Sequence, residues 1–416
     1  MTRADLFRTS ARLGRAAAIA FAAALAMAAP ARADPAFRAF LEQLWPEARA
    51  AGVSRSTFDA ATGPLSPDLN LPDLAIGGRT TGGGQAEFVQ TPAEYLSERL
   101  LQSLGGRGRT LLDRHRGSLA ETERRFGVPG PLILAIWGRE TSFGEAKLPH
   151  DALRVLATQA YLGRRKERFR PEFVAALKMV EDGHLTPSRR RSSWAGAMGL
   201  VQFLPSDFER HAVDADGDGQ ADIWTSVPDA LASAASQLAA KGWRPGRAWA
   251  HEVRPPEDLD CTAADPSQKR TVAEWLNRGF APAGGRPLSA GDLAEDASLL
   301  LPAGREGPAF LIPKNYFVIK EYNFSDLYVL FVGNLSDRIA GGGPFRTPWP
   351  RMAQASAGEI EAIQGRLTDL GFYDGKVDGK AGMATRLALG RFQKASGQMP
   401  DCWPSAAALA RLRAAR

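Results

Sequence analysis

Between Gly130 and Gly144 the chain reads GPLILAIWGRETSFG, an apolar helical run that carries one carboxylate to its end just before a glycine turn. Pro129 and Pro131 suit a first helical turn, where a missing amide hydrogen is harmless. Leu132, Ile133, Ile136 and Trp137 recur at helical spacing, and Glu140 follows Ile136 by four, so it continues the apolar face. The run predicts a mainly α lobe arranged around this helix. A carboxyl held against Trp and Ile side chains is desolvated, which favours its neutral form and keeps a proton ready for a general acid near neutral pH. Taken alone, ETSFG reads equally as a surface Glu near a helix end, paired with Arg139.

Helical patterning extends on both sides. Phe37, Phe40, Leu41, Leu44, Trp45 and Ala48 form one stripe that ends at Gly52, and Ser54 then reads as the N-cap of a short helix carrying Phe58. Residues 62–92, rich in Gly, Pro and Thr, predict a long surface connection. Tyr95, Leu96, Leu100 and Leu104 resume a helix, and further helices are expected over 151–162, 171–181 and 228–241. The basic stretch from Arg164 to Arg170 reads as a solvated face or as one wall of a groove, and Arg189, Arg190 and Arg191 pose the same choice.

The first 33 residues read as an export signal. Arg3, Arg8, Arg12 and Arg15 precede an Ala-rich apolar run that ends in Ala31-Arg32-Ala33. The run is short for a membrane span and no Cys follows it to take a lipid, so a soluble periplasmic chain without a stable membrane anchor is expected. Removing these five Arg and one Asp leaves 47 basic and 45 acidic residues, so the net charge falls from +6 to +2. Charge therefore implies no nucleic-acid partner. Cys261 and Cys402 fall in different candidate domains, which favours two unrelated buried thiols, with a single bridge as the alternative. HExxH, CxxC and GxSxG patterns are missing from the sequence, which argues against a catalytic zinc and a serine nucleophile elbow.

Two further stretches carry chemistry. In SWAGAMGLVQF, residues 193–203, small residues allow close backbone approach, Trp194 offers a flat face for a sugar ring, and Ser193 and Gln202 offer hydrogen bonds to hydroxyl and acetamido groups. The same residues also suit a tight helix-packing seam. Asp214, Asp216, Asp218, Gln220 and Asp222 alternate with a glycine at the sixth place, the spacing of a calcium loop, in which Asp229 can stand in for the closing Glu because the twelfth place is Thr225. A solvated Asp/Gly turn is the other reading. From 312 to 335 the chain is apolar and aromatic; there Tyr322, Asn323, Ser325 and Tyr328 suit either a core or a carbohydrate-facing wall. Residues 343–357 read as a Gly/Pro linker between a domain at 34–342 and a small unit at 358–416, whose helices carry Ile360, Ile363 and Leu367, then Leu387, Leu389 and Phe392, then a last helix from Ser405 to Leu412.

WGRETSFG, SWAGAMGLVQF with DADGDGQADIW, and NYFVIKEYNFSDLYV, in that order, resemble the lytic murein transglycosylases of the membrane-bound B type, glycoside hydrolase family 103. The C-terminal QGRLTDLGFYDGKVDGKAGMATRLALGRFQ resembles the three-helix peptidoglycan-binding module often attached to that family. The resemblance implies a mainly α, lysozyme-like (α+β) catalytic domain with an EF-hand-like calcium loop. It implies peptidoglycan glycan strands as substrate and a 1,6-anhydromuramic product. Glu140 would be the sole acid and then base, Ser193, Gln202, Tyr322, Asn323 and Tyr328 would line the sugar groove, and Asp214, Asp216, Asp218, Gln220 and Asp229 would bind Ca2+. Three departures stand out: no lipid-bearing Cys, a calcium loop one residue longer before Asp229, and an altered MPDCWPS close to the C-terminal unit. The competing readings are a hydrolytic muramidase, for which Glu145 or Asp151 would be the second carboxylate, and a non-catalytic wall-binding scaffold.

Overall fold

The Gly130–Thr141 helix is enclosed on nearly every side: Leu132 to Gly138 are all buried. The computed structural model describes residues 34–76, 79–80, 90–353 and 355–415, so the expected signal segment at 1–33 lies outside the described residues. The helices Glu98–Arg114 and Asp326–Ile339 pack directly against the Gly130–Thr141 helix. Gly108 lets the Glu98–Arg114 helix close on the Asp326–Ile339 helix, since a Cβ there would lie 2.5 Å from Ile339, and Gly138 makes room for the Phe143 ring, which a Cβ would approach to 2.7 Å. The helix stops where Ser142 and Phe143 turn left-handed, with φ of 50° and 60°. Its last residue, Thr141, donates its hydroxyl to the Leu200 carbonyl at 2.7 Å and ties the end of the helix to the 193–203 loop.

A second tier of helices, Ala152–Leu162, Lys166–Glu181, Pro205–His211 and Val227–Ala240, surrounds that loop. The Lys166–Glu181 helix starts before Pro171 and so takes most of the basic stretch into its first turns. N-terminal helices Pro35–Gln43, Trp45–Ala50 and Arg55–Thr62 cover this tier, and Ser54 caps the last of them through the Thr57 amide as expected. The expected surface connection after residue 62 is in part interior: Leu71 and Leu74 are fully buried and cluster with Val155. Two leucines among Gly and Pro give no periodic signal, and residues 81–89 lie outside the described residues.

Between 251 and 312 an antiparallel five-stranded sheet forms, in the order Arg270–Thr271, Asp296–Leu300, Ala309–Ile312, His251–Arg254, Ala281–Pro282. Its register pairs Phe310 with Leu300 and Ala309 with Val253. Alternate residues face opposite sides: Leu300, Phe310 and Ile312 enter the helical core, whereas Leu299, Ala309 and Leu311 enter a second core with Trp275. The sequence reading did not separate these strands, because each has only two to five residues broken by Pro and Gly.

The C-terminal unit consists of helices Ala357–Asp369, Met383–Ala395 and Ala406–Ala414 around Ile360, Ile363, Leu367, Leu389, Phe392 and Leu409. Its link to the rest is not slack: the Arg346 and Thr347 amides donate to Glu252 at 2.8 and 2.6 Å, and Phe345 and Trp349 lie against Phe310. The expectation of two unrelated thiols is overturned. Cys261 and Cys402 form a disulfide with Cα atoms 6.1 Å apart, across a sequence separation of 141. The two candidate domains dock, so both sulfurs enter the same core beneath the sheet. Lys394–Asp260, Arg391–Asp265 and Arg386–Asp326 ion pairs, at 2.6, 2.9 and 2.9 Å, surround the bridge.

Asp326 is buried, and it also takes the Tyr316 hydroxyl and the Lys320 ammonium. Burial works against its charge, but Lys320 and Arg386 outweigh that and hold its carboxyl down to about 2. A folded pKa below the unfolded one means that this contribution is fully present above the ordinary aspartate range and is lost as pH falls toward 2. Closing so long a loop with the disulfide is expected to stabilise the fold by about 3–5 kcal/mol. The Cys261→Ser/Cys402→Ser protein should therefore unfold at clearly lower urea than the parent; an unchanged midpoint would show that the bridge adds nothing to the docking.

Candidate active site

Glu140 lies in the last turn of its helix, half-buried, and lines a groove of about 640 Å³. The Tyr328 hydroxyl donates to its Oε1. Tyr328 comes from the Asp326–Ile339 helix and is 2% exposed. Burial, and then the neighbouring Glu140 charge, raise its pKa well above the ordinary tyrosine value, so the phenol stays protonated and acts as a fixed donor. Arg139, next in the chain, is turned the other way: its guanidinium donates to the Tyr95 hydroxyl and lies over the Tyr95 and Phe331 rings at 4.7 and 4.9 Å. Burial opposes the charge of Arg139, but Tyr95, Glu140 and Tyr328 together keep its pKa above the ordinary value.

The 193–203 loop forms the facing wall. Ser193 Oγ accepts from the amides of Ala195 and Ala197 at 3.3 and 3.2 Å, folding the loop back on itself. Bridges from Met198 to Ser192 and Phe203 close it. Gly196 and Gly199 have φ of 82° and 70°, and a Cβ there would lie 2.4 Å from Leu156 and 2.7 Å from the Ile223 carbonyl. Small residues are thus required by close packing, and the same loop still presents Ser193, Trp194 and Gln202 to the groove. Gln202 has φ of 55°, a left-handed conformation that a non-glycine residue adopts at a cost of about 1–2 kcal/mol. Its side-chain Nε2 donates to the Gly199 carbonyl at 3.0 Å. Strain of this kind is concentrated at functional sites.

Tyr322 and Asn323 come from the turn between the Lys314–Lys320 and Asp326–Ile339 helices, and both line the groove. The Tyr322 hydroxyl donates to the Val201 carbonyl at 2.7 Å, linking this turn to the glycine-rich loop. Burial, then Glu140 and Asp207, raise its pKa well above the ordinary value. All five expected groove residues are therefore brought to Glu140 or to the walls around it. The sequence reading missed Glu172, Asp207, Arg210, Lys241, Phe324 and Lys380, which also line the groove. They are spread over several elements and no local pattern marks them. The two carboxylates nearest in sequence are not among the lining residues: Glu145 is exposed and pairs with Arg107 at 2.8 Å, and Asp151 caps a helix through the Arg154 amide.

In the acidic loop, ligand oxygens of Asp214, Asp216 and Asp229 all lie within 4.8 Å of one another, while Asp218 is outside that group and both Asp218 and Gln220 are exposed. Asp214 accepts from the Gly217 and Gly219 amides at 2.7 and 2.9 Å. The fully buried Asp229 accepts from the Ala215, Asp216 and Asp222 amides at 2.8, 3.2 and 2.8 Å, which clamps the loop onto the Val227–Ala240 helix despite the extra residue. Asp222 faces away and pairs with Arg189 at 2.7 Å.

A helical lobe that delivers one carboxylate to an open polar groove, with a small three-helix unit docked beside it, defines a lysozyme-like class of fold. Residues 36–337 match the transglycosylase SLT domain family, and residues 356–411 match the putative peptidoglycan binding domain. The chain belongs to the transglycosylase SLT domain family. It is similar to the crystal structure of SltB3 from Pseudomonas aeruginosa in complex with NAG-anhNAM-pentapeptide, with a TM-score of 0.82 and 38% identity, covering 91% of this chain and 99% of that one. Escherichia coli Slt35 in complex with calcium is similar at a TM-score of 0.51 and 28% identity, covering 60% of this chain and 77% of that one. Membrane-bound lytic murein transglycosylase B of E. coli K12 is 32% identical over 216 residues, 52% of this chain and 58% of that relative's own length.

Tyr322→Phe removes the donor and leaves the Val201 carbonyl without it. The variant should lose about 1–2 kcal/mol of stability in urea unfolding; wild-type stability would mean that the two walls are held together by other contacts.

Proposed function

We propose that this chain is a lytic transglycosylase that cleaves the β-1,4 bond between N-acetylmuramic acid and N-acetylglucosamine in peptidoglycan, leaving a 1,6-anhydromuramic end. Glu140 gives its proton to the glycosidic oxygen as the C1–O bond breaks, and the N-acetylglucosamine side leaves as an alcohol. The muramic 6-hydroxyl then attacks C1 and returns its proton to Glu140, so no water is consumed. The substrate's acetamido group stabilises the developing cation in place of a second carboxylate. The observation that carries this reading is the placement of Glu140 in the groove, held by the Tyr328 hydroxyl, with Glu145 and Asp151 directed elsewhere and the groove carboxylates Glu172 and Asp207 engaged by Ser206 and by Arg210. Tyr328 positions the acid; Ser193 and Gln202 offer hydrogen bonds to sugar hydroxyl and acetamido groups, and Tyr322 and Asn323 line the groove beside them.

The proposed organisation is an export signal at 1–33, a catalytic domain at 34–342, a linker at 343–357 and a wall-binding module at 358–416, acting in the periplasm. The family matches at 36–337 and 356–411 support these divisions. No helix among the described residues is long and apolar enough to cross a membrane.

The acidic loop fits calcium: its donors are all hard oxygens, and Asp214, Asp216 and Asp229 converge. Those three would hold the ion, with Asp218 and Gln220 closing from outside. Calcium there would neutralise the clustered carboxylates and fasten the loop, without entering the bond-breaking step. Adding calcium chloride to EDTA-treated protein should raise its melting temperature, and Asp214→Asn/Asp216→Asn should abolish the rise; absence of any calcium-dependent shift in the parent would remove calcium from this site.

The catalytic reading is tested by mass spectrometry of muropeptides released from purified peptidoglycan. Products about 18 mass units lighter than their hydrolytic counterparts are expected, because water is excluded as acceptor, and Glu140→Gln should release none. Reducing-end products would make the protein a hydrolase.

A further inference from the structure

The groove that holds Glu140 is not lined by the catalytic domain alone: Lys380, from the C-terminal unit, is part of its wall. The loop that carries Lys380 is fixed from within its own unit. The fully buried Gln364 accepts from the Asp378 and Gly379 amides at 2.9 and 3.0 Å and donates to the Lys380 carbonyl at 3.2 Å. The unit itself is fixed to the catalytic domain by the disulfide and by the Arg386–Asp326 pair, and Asp326 lies two residues before Tyr328 on the same helix. Lys380 is therefore held at the groove by buried contacts rather than by a flexible tether.

Phe324 lies next to Asn323 on the same wall. It is 62% exposed, and it borders both the Glu140 groove and a smaller cleft formed with Ala381, Gly382, Arg386 and Trp403 of the C-terminal unit. An exposed aromatic face on a sugar groove is a stacking surface. The glycan backbone of peptidoglycan is neutral, and its anionic groups are carboxylates carried by muramic residues: those of the peptide stem or, where the stem has been removed, that of the lactyl group. A lysine ammonium is a mobile point charge suited to such a pendant carboxylate.

We infer that Phe324 and Lys380 form a saccharide subsite shared by the two domains, in which a sugar ring stacks on Phe324 and the Lys380 ammonium pairs with a carboxylate carried by a muramic unit. The C-terminal unit is then a specificity element of the groove as well as a wall-binding module. This rests on the proposed reading of the groove as a peptidoglycan site.

The test measures binding in the Glu140→Gln protein, so that no strand is consumed, with and without Lys380→Glu, Lys380→Gln and Phe324→Ala. The ligands are peptide-bearing strands, strands stripped of stems by an amidase, and a chito-oligosaccharide without carboxylates. Lys380→Glu should weaken binding of an anionic strand by about tenfold, and Lys380→Gln by less, while chito-oligosaccharide binding stays within about twofold. Loss confined to peptide-bearing strands assigns the carboxylate to the stem; loss on stripped strands assigns it to the lactyl group. Phe324→Ala should weaken all three ligands. If Lys380→Glu leaves every ligand unchanged, or weakens the uncharged one as much as the charged ones, the subsite is overturned. A parent protein that releases no anhydro product from any strand would instead overturn the catalytic reading, and the charge dependence of binding would still decide this one.

Discussion

The hydrogen bond from Tyr328 to Glu140 joins two of the most enclosed helices among the described residues at a place where the interior meets the groove. A carboxylate at the end of so apolar a helix is costly to desolvate without a partner. The Asp326–Ile339 helix supplies that partner from a buried position, with a phenol that remains a donor. Other features keep this contact in place. Gly108 lets the Glu98–Arg114 helix close on the Asp326–Ile339 helix, Gly138 makes room for Phe143, the left-handed turn at Ser142 and Phe143 ends the first helix just beyond Glu140, and Thr141 anchors the opposite wall.

The same helix also connects the groove to the C-terminal unit. Its first residue, Asp326, is buried among Tyr316, Lys320 and Arg386, so a charge inside the catalytic domain is balanced in part by a side chain from the appended unit. Separating the two units would leave Asp326 with a buried charge less fully compensated, which is strongly unfavourable. The disulfide and the Lys394–Asp260 and Arg391–Asp265 pairs act on the same docking surface. The linker follows this logic: its amides bond to Glu252 and its aromatics cover Phe310, as in a packed connection rather than a tether.

Much of the site was legible in the sequence because its residues occur in short, dense motifs. Helical spacing put Glu140 on an apolar face, resemblance preferred it to the surface reading, and the glycine-rich loop announced close backbone approach, which Gly196 and Gly199 bear out. The assignment of Tyr322, Asn323 and Tyr328 to the groove rested on resemblance, since an aromatic stretch at helical spacing reads equally as core. Tyr328 is in fact both: it is buried, yet it bonds to the groove carboxylate. The short-stranded sheet, the interior Leu71 and Leu74, and the groove residues Glu172, Asp207, Phe324 and Lys380 carried no local signal. Each depends on segments far apart in the chain.

By itself the sequence determined the α-helical lobe around Gly130–Thr141, the three-helix C-terminal unit, the carboxylate carried to the end of that helix and the loop of closely spaced carboxylates. Periodicity, capping and glycine placement are local properties, and local interactions are sufficient to specify them. Tertiary structure decided that Cys261 meets Cys402, that Asp229 reaches back to clamp the acidic loop, and that Lys380 enters a groove whose acid lies in another domain. Those pairings require two surfaces to bury each other, and a linear pattern read one window at a time contains no record of which surfaces meet.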